Sequence, residues 1–460
     1  MNLSLPDAAR VLGADPSGLA RGVRITGAVV DSRLVKPGDA FFALQGDFLD
    51  GHDFVREALR KGAAAVVVGR EVEADPARRI VVPDPAAGLT ALAGWLRDVL
   101  NPIVVGITGS TGKTSVKDLL TAIVRARMPV VASEKSFNNE LGVPLTLLKT
   151  RSDTRAVVVE MGTRGIGQIA ELCRLARPHI GVVTNVGVAH YEMFGSRAAI
   201  ARAKGELVEA LPEGGAAVLN ADDPLVAAMA SRRGSMVDLL TYGTSGGAWL
   251  RADNLKVDRL GRATFRLARG AQRGVWVSLQ ASGMHQVNNA MAAATAAMAL
   301  GLTLEECRIG LEAAEISPWR MQVRQLGEAT IVNDAYNASP ASVISALQTC
   351  AGMVGEGGRL LVILGHMAEL GAISETEHLR IGALAASLAD RLVAVGTAAE
   401  PIAAGATQEG MADVVRVRDA EAAAAAVGPL RPGDVLLVKG SRVAALEKVS
   451  DMVAAGTADT

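Results

Sequence analysis

The sequence predicts an α/β protein of three domains, the central one a doubly wound parallel sheet that carries a phosphate loop (P-loop). Three observations lead there. Short β-branched runs alternate with helical stretches along the chain, the pattern of strands joined by crossover helices. A length of 460 residues exceeds what one core serves, so roughly two to four domains are expected. The segment VVGITGSTGKTSVKDLLTAIV, Val104 to Val124, passes from an apolar strand through a glycine turn into a helix.

In the first block, residues 1–100, the strands AFFALQG and AAAVVVG alternate with the helical stretches HDFVREALRKG and GLTALAGWLRDVL. Asn101-Pro102 then reads as a linker. The second block, 101–315, opens with the glycine turn and continues RAVVVEMG, HIGVVTNVG and GAAVLNADDP, each followed by a helix-like segment. Such a sheet binds its ligand at the carboxyl ends of its strands. SPWRMQV around Pro318 interrupts the helical pattern, and the third block, 316–460, repeats the alternation in RLLVILG, RLVAVG, VVRV and DVLLVKG.

Composition removes several classes. A net charge of -1 leaves no basic footprint for nucleic acid. The start MNLSLPDAARVLGAD lacks the cationic and apolar regions of a signal peptide, and AMAAATAAMALGL is too short and too weakly apolar to span a bilayer. Cys173, Cys307 and Cys350 lie far apart without metal spacing, which suits a reducing cytosol and buried small side chains. A cytoplasmic protein without a membrane segment is therefore expected.

The glycine turn carries the chemistry. The strict phosphate-loop pattern wants glycine where Ile107 stands. What remains is Gly106, Gly109, Ser110, Thr111, Gly112, Lys113 and Thr114 between strand and helix, where backbone N–H groups and a helix N-terminus point at an anion. Lys113 would add charge at the β/γ-phosphates, and Thr114 a hydroxyl for Mg2+. A further oxygen ligand is expected from Glu160 at the end of VVVEMG, and His190 lies beyond the next strand in TNVGVAH. Three successive strands thus open Thr114, Glu160 and His190 on one sheet edge. By its residues alone Lys204, in AIARAKGELVEAL, reads as a solvated helix charge. His285, Asn288, Asn289, Asp334, Tyr336 and Asn337 occupy turns next to a helix or strand, suited to base and ribose contacts. ILGHMAELG is either a plain strand-to-helix loop or a ligand loop.

Over essentially its whole length the chain resembles the Mur ligases of peptidoglycan synthesis. The family loop Thr-Gly-x-x-Gly-Lys-Thr is Thr108 to Thr114 here. DSRLVKPGDAFFALQGDFLDGHDF, FNNELGVP, VVVEMG with VGVAHYEMFGS, DAYNASP, and LGHMAELG with VKGSR carry the rest. The first and last look most like the tripeptide-extending member, and the Asp-Asn-Pro-Arg box of diaminopimelate-adding relatives is absent. The resemblance implies a UDP-substrate domain, an ATPase domain, and a C-terminal dinucleotide-fold domain that closes over the site. It implies Ser32, Arg33, Asp50, Gly51 and His52 at the UDP end and Asn139 on the substrate side. Thr114 and Glu160 would hold one Mg2+; His190 and Lys204, as a carbamate, the second. Asn289 would take adenine, Asp334 ribose and Arg320 the γ-phosphate, while Asn337, Ser339 and GHMAELG would face the amine substrate. The implied reaction uses ATP to activate UDP-N-acetylmuramoyl-tripeptide as an acyl phosphate, which D-Ala-D-Ala attacks; a monomer is expected. This chain departs from the family at Gln286, where relatives carry Asn, and at Ser339, again in place of Asn.

Overall fold

The computed structural model describes residues 1–134, 137–270 and 272–456. The first sheet has four parallel strands, Gly27–Val29, Asp39–Phe42, Ala65–Val68 and Arg79–Val81, in that spatial order. Every residue of Asp39–Phe42 and Ala65–Val68 is buried. A parallel strand is covered on both faces, so it reads as an unbroken apolar run.

The helix Pro85–Leu100 follows. Asp84 caps its start by accepting from the N–H groups of Ala86 and Ala87, with proline in the first turn, where a missing N–H costs nothing. Asn101, at φ 42, closes it in the left-handed conformation, so the expected linker pair begins as this helix's C-cap. Leu89, Leu92 and Leu96, three and four residues apart, share one face and join Val143, Leu147 and Leu172 in a single buried cluster. The first block is thus packed onto the second through a common core. Each such leucine contributes about 1.5–3 kcal/mol by burial.

The central sheet has nine strands. From one edge they are Val275–Ser282, Arg262–Ala268, Leu250–Val257, Asp238–Gly243, Ala216–Asn220, Ile180–Val183, Ile103–Thr108, Ala156–Glu160 and Val130–Ala132. Pairing is parallel from Leu250–Val257 through Val130–Ala132, as expected. The first three strands form an antiparallel extension that the sequence reading did not name. Their alternating burial, clearest in RATFRLA, is that of strands with one face on a core. Register sets Ile107 beside Glu160 and Thr108 beside Val183, so three neighbouring strand ends open together.

The alanine-rich helix His285–Ala299 and the helix Leu304–Glu312 pack on the helix Lys113–Arg125. The approach is close: a Cβ on Gly310 would lie 2.3 Å from the Cα of Ile123. The third sheet runs Gln322–Leu326, Ala329–Asn333, Val435–Lys439, Leu360–Gly365, Arg391–Val395, Val414–Val417. Only its first pair is antiparallel.

Candidate active site

The phosphate loop needs its glycines. Gly109 and Gly112 have φ values of 151 and 82, and a Cβ would stand 1.8 Å from Thr184 Oγ1 and 2.5 Å from Asn289 Oδ1 respectively. The helix Lys113–Arg125 starts without a side-chain cap, leaving first-turn N–H groups for an anion. Ser110 Oγ accepts from Gly187 N at 2.9 Å, and Asn185 brackets Thr111, accepting from its N–H at 3.0 Å and donating to its hydroxyl at 2.9 Å. Asn185 was not anticipated. Lys113 Nζ folds back to donate to Gly109 O at 2.7 Å. Burial, chiefly, holds its pKa below the ordinary lysine value, with Glu160 opposing and Arg320 adding to the shift.

Beside the loop, Thr114 Oγ1 donates to Glu160 Oε2 and Asn138 Nδ2 donates to Glu160 Oε1, both at 2.8 Å. Arg320 reaches across from the third block, its Nη2 donating to Thr114 Oγ1 at 2.9 Å while its guanidinium stacks 4.0 Å from the Tyr336 ring centre. A buried hydroxyl and carboxylate in contact are hard oxygen donors that fit Mg2+. Asn139 is exposed and accepts from Gly142 N at 3.0 Å; its neighbour Asn138 is the one that meets Glu160.

Lys204 is not the solvated charge its helix suggests. It lies on the helix Arg197–Glu209 with only 3% of its surface exposed, and burial followed by the Lys113 charge puts its pKa well below the ordinary value. Among the described residues no carboxylate pairs with it, and no group of three His, Cys, Asp or Glu converges as a ready metal cage. An ammonium would repel a cation here; the neutral amine that burial favours is the form that adds CO2 to give an oxygen donor. His190, at φ 61, sets its Nδ1 against the Glu369 carboxylate. Its pKa is lowered, first by burial, with Glu369 opposing and Lys113 and Lys204 reinforcing.

On the opposite wall Asn289 is buried and donates to Gln286 Oε1 at 2.8 Å, so the unusual Gln286 braces the expected adenine contact. Asp334 accepts from Met321 N at 3.0 Å and is ion-paired with Lys439. Lys439 also donates to Asn337 O at 3.0 Å. This lysine ends a strand in the stretch DVLLVKG and was not singled out. Ser339 forms a capping box with Ser342 at the start of the helix Pro340–Ala351, its N–H donating to Ser342 Oγ at 2.9 Å. Lys113, Thr114, Glu160, His190, Asn289, Arg320, Asp334, Asn337 and Ser339 line one cleft of about 740 Å³; Lys204 lies outside its lining, and none of His366 to Gly371 lines it.

A second cleft, of about 1120 Å³, is lined chiefly by the first block, with Ser32, Arg33, Gly51 and His52, and is completed by Glu140 and Leu141 of the second. Asp50 accepts from His52 N at 2.9 Å, His52 Nδ1 at 2.6 Å and Arg70 Nη2 at 3.0 Å. These contacts, the backbone N–H first, hold its carboxyl well below the usual range. His52 Nε2 accepts from Gly69 N at 2.9 Å, so both ring nitrogens are engaged. Ser32 donates to Glu57 at 2.9 Å, and the exposed Arg33 pairs with Asp31 at 2.7 Å.

Three family models match: Mur ligase family, catalytic domain, over residues 24–95; Mur ligase middle domain over 107–297; and Mur ligase, glutamate ligase domain, over 319–442. A UDP-N-acetylmuramoyl-tripeptide–D-alanyl-D-alanine ligase of Mycobacterium bovis is 42% identical, covering 94% of this chain and 93% of its own. The crystal structure of MurF from Acinetobacter baumannii superposes with a TM-score of 0.88 at 28% identity, covering 99% of each chain. MurF ligase from Thermotoga maritima in complex with ADP gives 0.82 at 29%, covering 94% of this chain and 98% of its own. With 42% identity over nearly all of its length, the chain belongs to the Mur ligase family.

Proposed function

We propose that this chain is the family's ATP-dependent ligase that joins D-Ala-D-Ala to UDP-N-acetylmuramoyl-tripeptide, releasing ADP and phosphate and forming the UDP-muramyl pentapeptide precursor of peptidoglycan. The observation that carries the reading is the cleft in which the phosphate loop and Glu160 of the second block face Arg320 and Asp334 of the third. Residues 1–100 hold the UDP end, 101–315 bind ATP, and 316–460 close over the nucleotide and bind the amine. A cytoplasmic monomer completes the reading; the three cysteines are free and buried, and among the described residues no helix is long and apolar enough to cross a membrane.

A carboxylate accepts an amine only after activation. The loop N–H groups and Lys113 bind the phosphates, Arg320 takes the γ-phosphate, Asp334 the ribose and Asn289 the adenine. The tripeptide carboxylate attacks the γ-phosphorus, and the amine of D-Ala-D-Ala then displaces phosphate from the acyl phosphate. Phosphoryl transfer depends on positioning and charge neutralisation, and Mg2+ would supply neutralisation at the transferring group. Thr114 and Glu160 would hold one ion; His190 and carbamylated Lys204 would hold the second. Closure of the third block excludes water from the acyl phosphate.

The test is phosphate release with UDP-muramyl tripeptide or dipeptide, each with D-Ala-D-Ala, D-Ala or diaminopimelate. A site that hydrogen-bonds an amide and a distal carboxylate discriminates by about four orders of magnitude against an amine lacking them, so only tripeptide with D-Ala-D-Ala turns over efficiently. Comparable efficiency for diaminopimelate on the dipeptide would overturn the assignment.

A further inference from the structure

The loop GHMAELG was expected to face the amine substrate, yet it lies outside the cleft and is fastened elsewhere. Met367 and Leu370 are buried in the core of the third block, and Met367 N donates to His378 Nε2 at 2.8 Å. Between these anchors Glu369 adopts φ 62, a conformation that a residue with a Cβ takes at a cost. The twist presents Glu369 to the second block. Glu192 N donates to Glu369 O at 3.1 Å, Arg164 Nη2 donates to Glu369 Oε1 at 3.2 Å, and His190 Nδ1 meets the carboxylate. Gly371 lies so close that a Cβ would sit 2.9 Å from Glu192 Cα, and Val188 packs against the core of the third block.

We propose that Glu369 is a positioning residue that sets the tautomer of His190. The approach is too oblique to count as a hydrogen bond, but a carboxylate only accepts, so Nδ1 must carry the hydrogen if two lone pairs are not to face each other. The neutral ring then keeps its lone pair on Nε2, the nitrogen left for the cleft that His190 lines. A ligand histidine is ordinarily oriented this way, by a partner on its other nitrogen. Here that partner comes from a different domain. Docking of the third block and readiness of the His190 ring become one event: with Glu369 withdrawn, the ring loses the group that fixes its hydrogen on Nδ1. The inference deepens the ligase reading and rests on it for what the ring does in turnover.

The test has two readouts, one independent of any reaction. Nitrogen-15 spectra of histidine-labelled protein report the tautomer, and His190→Gln identifies the resonance among the six histidines. The wild-type ring is expected as Nδ1–H; Glu369→Ala is expected to shift it toward Nε2–H. In the same variant kcat falls by about 10- to 100-fold, the usual effect of removing a partner behind a ligand, with KM for ATP changed less than about twofold, because Glu369 does not line the nucleotide cleft. Glu369→Gln keeps an accepting oxygen, so it retains the Nδ1–H tautomer and most turnover. Arg164→Ala removes another contact of Glu369 and leaves ring and rate as they were. An unchanged tautomer in Glu369→Ala, or an Arg164→Ala variant as impaired as Glu369→Ala, would overturn the proposal and leave Glu369 a clamp between domains. Absence of turnover by the wild type on UDP-muramyl tripeptide with D-Ala-D-Ala would sink the ligase reading, while the spectra would still decide the tautomer.

Discussion

The two clefts differ in where their walls come from. Around the first, Asp50, His52, Gly69 and Arg70 are tied to one another within a short stretch of one domain. Around the second, Arg320 crosses to Thr114 and Glu369 to His190 from another domain. The cleft around His52, whose far edge at Glu140 and Leu141 is joined to it through a shared core, is therefore held fixed; the cleft around Thr114 and Arg320 is assembled across a polar joint between two domains. Binding at a preset site changes ground-state affinity, whereas groups brought together by docking act on the step that follows.

The largest expected effect lies in the assembled cleft. Lys113→Ala should lower turnover by about 100- to 1,000-fold, the usual loss of a preorganised contact to a charged transition state, with an unchanged circular-dichroism spectrum. Near-normal phosphate release would remove the phosphate loop from the mechanism. Lys204→Ala should fall by a similar factor, and small carboxylic acids should restore part of it by supplying the missing oxygens. A fully active Lys204→Arg, which keeps a cation that cannot be carbamylated in the same way, would refute the carbamate. In the preset cleft the effect is smaller and of another kind. His52→Ala removes the brace between Asp50 and Gly69 and should raise KM for the UDP substrate by about 10-fold, roughly the worth of one or two hydrogen bonds, with kcat nearly constant. An equal loss in kcat would erase the distinction between the clefts.

The smallest effect is on stability. His378 accepts from Met367 N through Nε2 and donates through Nδ1 to Ser374 O at 2.6 Å. Burial holds its pKa below the ordinary value. Below pH about 6.5 the unfolded chain takes up a proton that the folded chain resists. Stability is thus fully present above that pH and declines as pH falls toward the folded pKa. Melting temperatures of wild type and His378→Gln between pH 7.5 and 5.5 (chosen to bracket that value) should show the flatter dependence in the variant; parallel curves would exclude this residue as a source.

Much of the assembled cleft was legible because strand ends are local features. Each of Thr114, Glu160 and His190 follows an apolar run, and a parallel sheet brings such ends together. Lys204 was illegible from its surroundings: RAAIARAKGELVE gives no hint that Lys204 and Glu206 face inward, where Glu206 accepts from Gly167 N at 2.6 Å and Ala170 N at 3.0 Å. Only the resemblance pointed to it. Glu369 escaped for another reason, since its partner lies in a different domain and no pattern within GHMAELG names it. The antiparallel strands Leu250–Val257, Arg262–Ala268 and Val275–Ser282 were missed although their alternation is visible, because attention to continuous apolar runs selects only parallel strands.

The buried cluster shared by Leu89, Leu92, Leu147 and Leu172 has a mechanical meaning. Apolar surface joined in one core cannot part without exposing itself to water, so the first and second blocks form a single rigid jaw. At the other joint the links are chiefly polar: Ser317 N to Asp118 at 2.9 Å, Arg320 to Thr114, Arg164 to Glu369. There Trp319 and Met321 take φ values of 60 and 50, left-handed torsions that residues with a Cβ adopt at a cost. Any movement of the third block against that jaw would have to turn about the connecting segment, Ile316 to Gln322, and break those polar links first.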